Sequence, residues 1–191
     1  STRLNSSGVS ASVKNVDTQA AEIDLVGKPA TVSAAGMSIQ AEKLRLNRGS
    51  SNAWIDSPGQ LKMQLDKDFR GNPLPTPQPL SITWQKNMEL VDGRITFRGK
   101  VRALSNDGAL DTERMVAVLA GPVQFDGAAT QQRSQIEQIE CWEGVHAQFQ
   151  ERDQFGLTST HVMELESIRV NQQTGKISGV GPGEIESVHL T

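Results

Sequence analysis

The chain has few of the residues that usually carry chemistry. Its single cysteine, Cys141, excludes an internal disulfide bond and a cysteine-rich metal site. Tyrosine is absent, and only three histidines are present, each flanked by strand-like sequence: His146, His161 and His189. Together with Glu140 and Glu143 they show no recognisable spacing of metal ligands. We therefore expect a protein that is not an enzyme, with no catalytic residues, no metal and no cofactor.

Long apolar runs and clusters of basic residues are also missing. No stretch reaches the roughly 18 apolar residues of a membrane-spanning helix. The 19 basic and 22 acidic side chains give a net charge of −3 without a basic block, which disfavours nucleic acid as a partner because phosphate neutralisation needs clustered lysine and arginine. The chain starts without Met or a signal-peptide pattern. We expect it to be a piece of a longer protein.

What the chain does contain is alternation with a period of two residues. From Ile95 to Ala103, apolar or small side chains occupy one face and threonine or basic side chains the other, which predicts a half-buried antiparallel strand. Asp92-Gly93 is a strong two-residue hairpin turn, so residues 80–103 are predicted to form a β-hairpin. Short strands and explicit turns continue along the chain, and we predict a single all-β domain over residues 1–191.

Three segments fit this pattern less well. Residues 66–79 hold four of the eight prolines, and we predict an irregular or polyproline-like insertion there. Residues 1–20 are expected to be an edge strand or a frayed end. Residues 130–140 are the only helix candidate, although Ile136, Ile139 and Cys141 could equally open a strand.

A sequence repeat of about 30 residues occurs three times. Each copy has a glycine in a strand-like stretch, then an apolar-x-small-x-x-apolar stretch, then proline next to glycine, and the spacing from the first glycine to the small residue is 14, 13 and 15. The copies centre on Gly27 with Ile39, Ala41 and Leu44; Gly99 with Leu110, Thr112 and Met115; and Gly144 with Leu157, Ser159 and Val162. Such units are stable when stacked on their neighbours.

Inside each copy, the alternation of apolar and polar residues slips by one position. The slip falls between Ala41 and Leu44, between Thr112 and Met115, and between Ser159 and Val162. A β-bulge or corner re-aims a strand in this way, so that both of its halves face inward. We therefore predict that each copy turns a corner at this point.

The glycine-rich segment from Gly179 to Gly183 could suggest a phosphate-binding loop. It lacks the Lys-Ser/Thr that follows in such loops, and we interpret it as a turn or corner.

These segments resemble a known family of envelope proteins. Gly27-Lys-Pro-Ala-Thr-Val32 with Ile39-Gln-Ala-Glu-Lys-Leu-Arg-Leu46, and Thr96-Phe-Arg-Gly-Lys-Val101 with Leu110-Asp-Thr-Glu-Arg-Met115, are similar to the OstA-like repeat of the lipopolysaccharide-transport proteins LptA, LptC and the N-terminal part of LptD. Glu143-Gly-Val145 with Leu157-Thr-Ser-Thr-His-Val162 fits more loosely. The resemblance covers roughly residues 23–190, interrupted by the proline-rich segment.

The resemblance implies an open, twisted β-jelly roll, a solenoid-like stack of antiparallel strands built from repeated units. Its facing sheets would enclose an apolar groove that shields the acyl chains of lipopolysaccharide or another lipid in the periplasm, and like modules would join edge to edge. The groove candidates are the residues of inward parity: Ile39, Ala41, Leu44, Leu46, Ile82, Trp84, Phe97, Val101, Leu110, Met115, Val145, Phe149 and Val162.

Two other functions remain open at this level. The same residues could fill the closed core of a structural or protein-binding repeat domain in a large envelope protein. Alternatively, Trp54, Trp84 and Trp142 could form an exposed row that stacks on sugars, although core anchoring is the simpler interpretation. A continuous apolar slot favours lipid binding, a packed interior favours the structural role, and a coplanar tryptophan row favours carbohydrate.

Overall fold

The computed structural model describes residues 3–5, 10–14, 22–34, 36–47, 49–68, 73–121, 123, 135–153 and 156–189. Within these ranges the protein is all-β, as predicted, and contains no helix. Its strands are β1 (Arg3–Asn5), β2 (Ser10–Lys14), β3 (Glu22–Ala34), β4 (Met37–Asn47), β5 (Asn52–Ile55), β6 (Gly59–Lys67), β7 (Pro73–Trp84), β8 (Asn87–Val91), β9 (Arg94–Leu104), β10 (Gly108–Leu119), β11 (Ile136–Asp153), β12 (Gly156–Asn171), β13 (Lys176–Val180) and β14 (Glu184–His189).

The strands form an antiparallel meander in chain order. Four pairs of separate strands, which we call the short strands although β7 is as long as its neighbour, each share one continuous strand: β1 and β2 lie on β3, β5 and β6 on β4, β7 and β8 on β9, and β13 and β14 on β12. Each such pair occupies the place of one interrupted strand. The sheet is therefore a succession of long strands, each divided near its middle.

The divisions line up across the whole sheet. On the long strands they are register shifts: Gly27 to Pro29 lie opposite Glu42, Gly99-Lys100 opposite Glu113, and Glu143-Gly144 opposite Glu166. On the short strands they are the interruptions at residues 56–58, 85–86 and 181–183. We call this continuous row of bulges and interruptions the fold line, because it divides the sheet into two halves.

The two halves are defined by the hydrogen-bond ladders. Layer A consists of β2, β5, β8 and β13 with residues 22–26, 43–47, 94–98, 114–119, 136–142 and 167–171. Layer B consists of β1, β6, β7 and β14 with residues 30–34, 37–41, 101–104, 108–112, 145–153 and 156–165. A long strand thus passes from one layer to the other at the fold line.

The layers face each other across an apolar interior. Trp84 of layer B and Phe97 of layer A have ring centroids 5.3 Å apart. One continuous cluster of buried side chains draws on both layers, from Leu25 at one end to Val170 at the other. This arrangement is a sheet folded over along one side, which agrees with the predicted open roll of antiparallel strands.

Backbone conformation explains why the sheet bends at the fold line. Gly99 and Lys100 have φ values of 83° and 45°, and Glu143 and Gly144 have 69° and 81°. Two consecutive left-handed residues place an extra residue in one strand and turn it sharply. The Thr112 hydroxyl donates a hydrogen bond of 2.7 Å to the Trp142 carbonyl across this irregularity.

The corner prediction was correct for two copies and wrong for the third. The first two register shifts fall beside Ala41 and Thr112, as the phase slip predicted. In β12, however, Ser159 to Val162 pair regularly, and the fold-line shift lies between Leu165 and Ser167. The β12 segment in the equivalent position at the fold line is Met163-Glu-Leu-Glu-Ser-Ile168, six residues beyond the predicted segment, and it has Leu165 where the pattern requires a small residue.

The proline-rich segment is part strand and part irregular. Residues 73–79 belong to β7, but only Pro73, Gln78 and Pro79 among them have register partners on β6, and residues 74–77 form the irregularity opposite Asp66. Only Ser81 to Thr83 of β7 pair with β9, so the prolines lie where the strand has a neighbour on one side alone. A proline lacks the backbone N–H that a second neighbour would need, and an edge position tolerates this. Residues 69–72 lie outside the described residues.

The remaining local predictions have mixed outcomes. Asp92 and Gly93 have φ values of 49° and 74° and form the predicted hairpin turn, but the first arm is broken at Gln85-Lys86 into β7 and β8. Residues 3–5 and 10–14 are edge strands on β3, one of the two expected alternatives. Of the helix candidate, residues 136–140 open β11, and residues 130–134 lie outside the described residues.

Trp84 anchors the fold line. It is fully buried, its indole N–H donates to the Ser57 carbonyl at 2.9 Å, and it lies opposite Gly59. A Cβ atom added to Gly59 would lie 2.7 Å from the Gln40 carbonyl oxygen and would also overlap the Trp84 ring. Glycine is needed here because two elements approach too closely for any side chain.

We predict that Gly59→Ala lowers the free energy of unfolding by about 1 to 3 kcal/mol, because the methyl group overpacks a rigid site. Chemical denaturation measures the change. Gly121→Ala is the matched control, since no atom lies within 4 Å of the added Cβ, and it should change stability by less than about 0.5 kcal/mol. Equal effects in the two variants would contradict the role given to Gly59.

Candidate functional site: the space between the layers

Most of the predicted groove residues line the space between the layers. Eleven of the thirteen are buried, and they come from both layers: Ile39, Ala41, Leu44, Leu46, Ile82, Trp84, Phe97, Val101, Leu110, Met115 and Val145. The alternation of side chains along a strand predicts them correctly, because each half-strand has one face toward the other layer. The structure therefore brings together a set that is dispersed over more than 100 residues of sequence.

The other two residues behave differently. Phe149 is partly buried and packs against the core cluster at the β10–β13 end. Val162 does not belong to that cluster; it lies opposite the exposed Gln148 in register, whereas its neighbour Met163 is in the core. The prediction chose Val162 instead of Met163 because the third copy was misplaced. A shift of one position moves a side chain to the opposite face of a strand.

The interior is packed rather than hollow. One cavity of about 40 Å³ lies between the layers at the β10–β13 end and is lined by Ala109, Leu110, Ala147, Gln148, Phe149, Met163, Ile168, Val170 and Ile177. A second, of about 10 Å³, lies between Leu65, Leu80, Ile82, Ala103, Leu110, Met115, Ala117, Ile136 and Ile139. Ligand pockets usually measure about 300 to 1,000 Å³, so neither cavity holds an acyl chain as it stands.

The two long sides of this interior differ in how they are closed. At the fold line, covalent strands cross from layer to layer. On the opposite side, every described connection is a turn within one layer, such as residues 92–93 in layer A and 105–107 in layer B. Among the described residues, no hydrogen-bonded ladder joins the layers on that side. In the described part of the chain, side-chain packing holds them together there.

A polar group that the sequence did not reveal lies close to the larger cavity. The His161 ring stacks on Phe149 with centroids 4.8 Å apart. Its Nε2 is 3.1 Å from the Ser159 hydroxyl, and its Nδ1 is 2.8 Å from the Ser187 hydroxyl of β14. Ser159 and His161 could be paired from their spacing of two, but the partner Ser187 depends on the β12–β14 register. The arrangement ties the last strand to the interior.

The candidate chemical groups do not form an active site in the described residues. Cys141 is fully buried in the interior of layer A, whereas His146 is exposed on the outer face of layer B, 3.3 Å from Glu164. Glu140 is held by Arg169 at 2.8 Å. No group of three or more His, Cys, Asp or Glu among the described residues could hold a metal ion. The side chain of His189 lies outside the described residues.

A broad concave surface lies along the fold line and is acidic. Its volume is about 1,010 Å³, and its charged lining residues are Lys100, Asp111, Glu113, Glu143, His146, Glu164, Glu166 and Glu184. Some of these charges are compensated, as in the contact of 3.8 Å between Arg102 and Asp111. An open, carboxylate-rich surface disfavours an anionic lipid headgroup, so the apolar interior remains the better candidate site.

The tryptophans do not form a binding row. Trp84 is buried in the core, as the simpler interpretation predicted. Trp54 and Trp142 are partly buried on the outer face of layer A, but Trp54 is on β5 and Trp142 on β11, with β8, β9 and β10 between them. The Arg114 guanidinium covers Trp142 at 5.1 Å from the ring centroid.

Neither a protein-family model nor a curated protein matches the chain. Among the described residues, there is also no helix with the length and apolar character needed to cross a membrane.

Burial makes the Cys141 thiol a sensitive reporter of folding. Desolvation, with a smaller contribution from Glu140, raises the pKa of Cys141 to about 12. In the unfolded chain the thiol ionises near its ordinary value of about 8.5. Between these two values the unfolded state binds fewer protons than the folded state, so stability falls as the pH rises.

We predict that the free energy of unfolding falls more steeply from about pH 9 to 12 in the wild type than in Cys141→Val, which has a similar volume and no ionisable group. Denaturation under reducing conditions at several pH values measures both slopes. The chain has no tyrosine, and every ionisable group other than Cys141 is common to both proteins. Parallel slopes would contradict the burial of the thiol.

Proposed function

We propose that the protein is a non-enzymatic lipid-binding module of the cell envelope, in which acyl chains of a lipopolysaccharide-type lipid lie between layers A and B. The observation that carries the proposal is the apolar interior, which covalent strands close on one long side and, within the described ranges, side-chain packing alone closes on the other. The resemblance of the repeated segments to OstA-like proteins supports the same role, and with it a periplasmic location.

Lipid entry requires the layers to part. The turns on the open side can separate without breaking a described strand ladder, while the bulges of the fold line act as the hinge. Each CH₂ group that moves from water into the interior contributes about 0.8 kcal/mol. Entry is most favourable at the β10–β13 end, where the larger cavity already exists and Ile177 at its margin is 36% exposed.

A second candidate is a structural repeat module with a permanently filled core. The observation that favours it is the packing in the middle of the sheet, where Trp84, Phe97, Leu44 and Ile55 have almost no exposed surface. In this alternative the apolar interior only stabilises the stack. The two candidates differ in whether the cavity at the β10–β13 end takes up hydrocarbon.

Edge-to-edge association with like modules belongs to the same proposal. Each of the last strands, β13 and β14, pairs with β12 on one side, and their Val180, Ile185 and Val188 are 67%, 65% and 48% exposed. An edge with free backbone groups and apolar side chains can accept a strand from another module. The strands β1 and β2 provide the opposite edge.

We predict that Ala147→Leu weakens lipid binding by at least about tenfold, since the added carbon atoms fill the cavity and displace two or more CH₂ groups of the ligand. Binding is measured with intact lipopolysaccharide, and deacylated lipopolysaccharide should not bind. Ala120→Leu, the same enlargement at the exposed residue that follows β10, should leave the affinity unchanged.

The two candidates give opposite results in this experiment. Lipid uptake that requires acyl chains and is lost in Ala147→Leu supports the lipid-binding role. If the wild type binds no lipopolysaccharide, and native mass spectrometry of protein extracted from an envelope shows no bound lipid, the structural role is correct.

A further inference from the structure

The outer face of layer A carries a row of cationic and aromatic side chains that neither the fold nor the interior uses. Arg98, Arg114 and Trp142 lie side by side on β9, β10 and β11, since Arg98 is the register partner of Arg114 and Arg114 that of Trp142. Like charges placed directly opposite on neighbouring strands are destabilising unless something compensates them. The arrangement therefore calls for a functional explanation.

Arg114 has no ionic partner among the described residues. Its guanidinium lies over the Trp142 ring, 5.1 Å from the centroid. Its Nε is buried and has no hydrogen-bond partner. Other described arginines on this face do have carboxylate partners, for example Arg45 with Asp24 at 3.1 Å and Arg169 with Glu140 at 2.8 Å. Trp142 thus holds an uncompensated guanidinium in a fixed orientation.

Arg98 leaves part of its own guanidinium available. Its contacts with Asn87 at 3.3 Å and with Glu89 at 3.4 Å both use Nη1. Its other two guanidinium nitrogens have no partner among the described residues. The side chain is 38% exposed, so these donors are accessible beside Arg114. Two guanidinium groups in register can present several N–H donors to one anion.

The local charge balance specifies the anion. Among the residues of this face that have register partners between β8 and β12, four arginines stand against two glutamates, an excess of two positive charges: Arg94, Arg98, Arg114 and Arg169 against Glu89 and Glu140. The carboxylates of Glu113 and Glu143 lie next along the chain, on the concave surface at the fold line. Glu140 is compensated by Arg169 and lies 3.9 Å from Arg94, so it does not neutralise Arg114. A phosphate monoester carries about −1.5 to −2 charges at neutral pH, which matches this excess better than a carboxylate does.

We propose that Arg98 and Arg114, with Trp142 behind Arg114, form a binding site for a phosphate monoester group. The site lies outside the interior and does not depend on the proposed lipid-binding function. Planar guanidinium groups suit phosphate oxygens because they donate two parallel hydrogen bonds. Arg114 is the principal ligand, and Arg98 contributes its free donors.

The test is a titration of the isotope-labelled protein with inorganic phosphate at constant ionic strength. The NMR signals of the Trp142 indole N–H and the Arg114 Nε–H should shift in a saturable way, while those of Trp54 and Trp84 stay in place. Arg114→Gln should raise the apparent Kd at least about tenfold, because it removes charged hydrogen bonds. Arg114→Lys should also weaken binding, since lysine keeps the charge but not the planar fork.

Matched controls separate this site from general charge attraction. Arg45→Gln removes an arginine of the same face that is already paired with Asp24, and it should leave the phosphate affinity unchanged. Acetate replaces phosphate as a singly charged anion and should bind more weakly. Arg98→Gln is a second variant, which should weaken binding even if Arg114→Gln proves unstable.

Two further arms identify the source of the phosphate group. Binding to vesicles that contain phosphatidic acid, but not to pure phosphatidylcholine, supports a lipid headgroup. Binding of inorganic phosphate without binding to either vesicle supports a soluble phosphate monoester. The proposal is overturned if the wild type gives no saturable shift, if acetate binds as well as phosphate, or if Arg114→Gln responds like the wild type.

Discussion

The structure depends on one constraint, the continuity of antiparallel hydrogen bonding through strands that must bend. A flat sheet of this length would leave one apolar face in water, and folding it over buries that face against itself. Bulges at Gly99-Lys100 and Glu143-Gly144 make the bend possible while the ladders resume on both sides. Because every strand bends at the same line, the two layers have the same strand order and face each other along their whole length.

The consequences for function follow from this single bend. The layers are joined covalently on one long side, and their described residues meet only through side chains on the other. The interior can therefore be a permanent core or a space that opens. Packing differs along the stack: it is complete around Trp84 and Phe97 and looser near Phe149 and Met163, where the cavity of about 40 Å³ lies. The proposed lipid-binding role places acyl chains at the looser end. The arginine row on the outer face of layer A is a separate feature with its own chemistry.

Much of this could be predicted from the sequence, because alternation reports directly which side chains share a face. The period-two pattern identified the all-β fold, the Asp92-Gly93 turn and, among the thirteen residues predicted for the groove, eleven that are buried. The third copy was misplaced because Leu157 to Val162 fits apolar-x-small-x-x-apolar, whereas the segment at the fold line has Leu165 in place of the small residue. A more specific signal is the glutamate opposite each bulge, at Glu42, Glu113 and Glu166. The β7 prolines and the Arg114–Trp142 contact depend on strand register, which no local pattern contains.

The most direct test of the account is the distance between the two layers on the open side. Spin labels at Asp92→Cys and Asn106→Cys, in a Cys141→Val background, report on the two ends of β9, which lie in different layers. A label pair at Asp92→Cys and Gln173→Cys, both in layer A turns, serves as the control. The account predicts that lipopolysaccharide lengthens the first distance and leaves the second unchanged. An unchanged first distance in a protein that has demonstrably bound the lipid would contradict it.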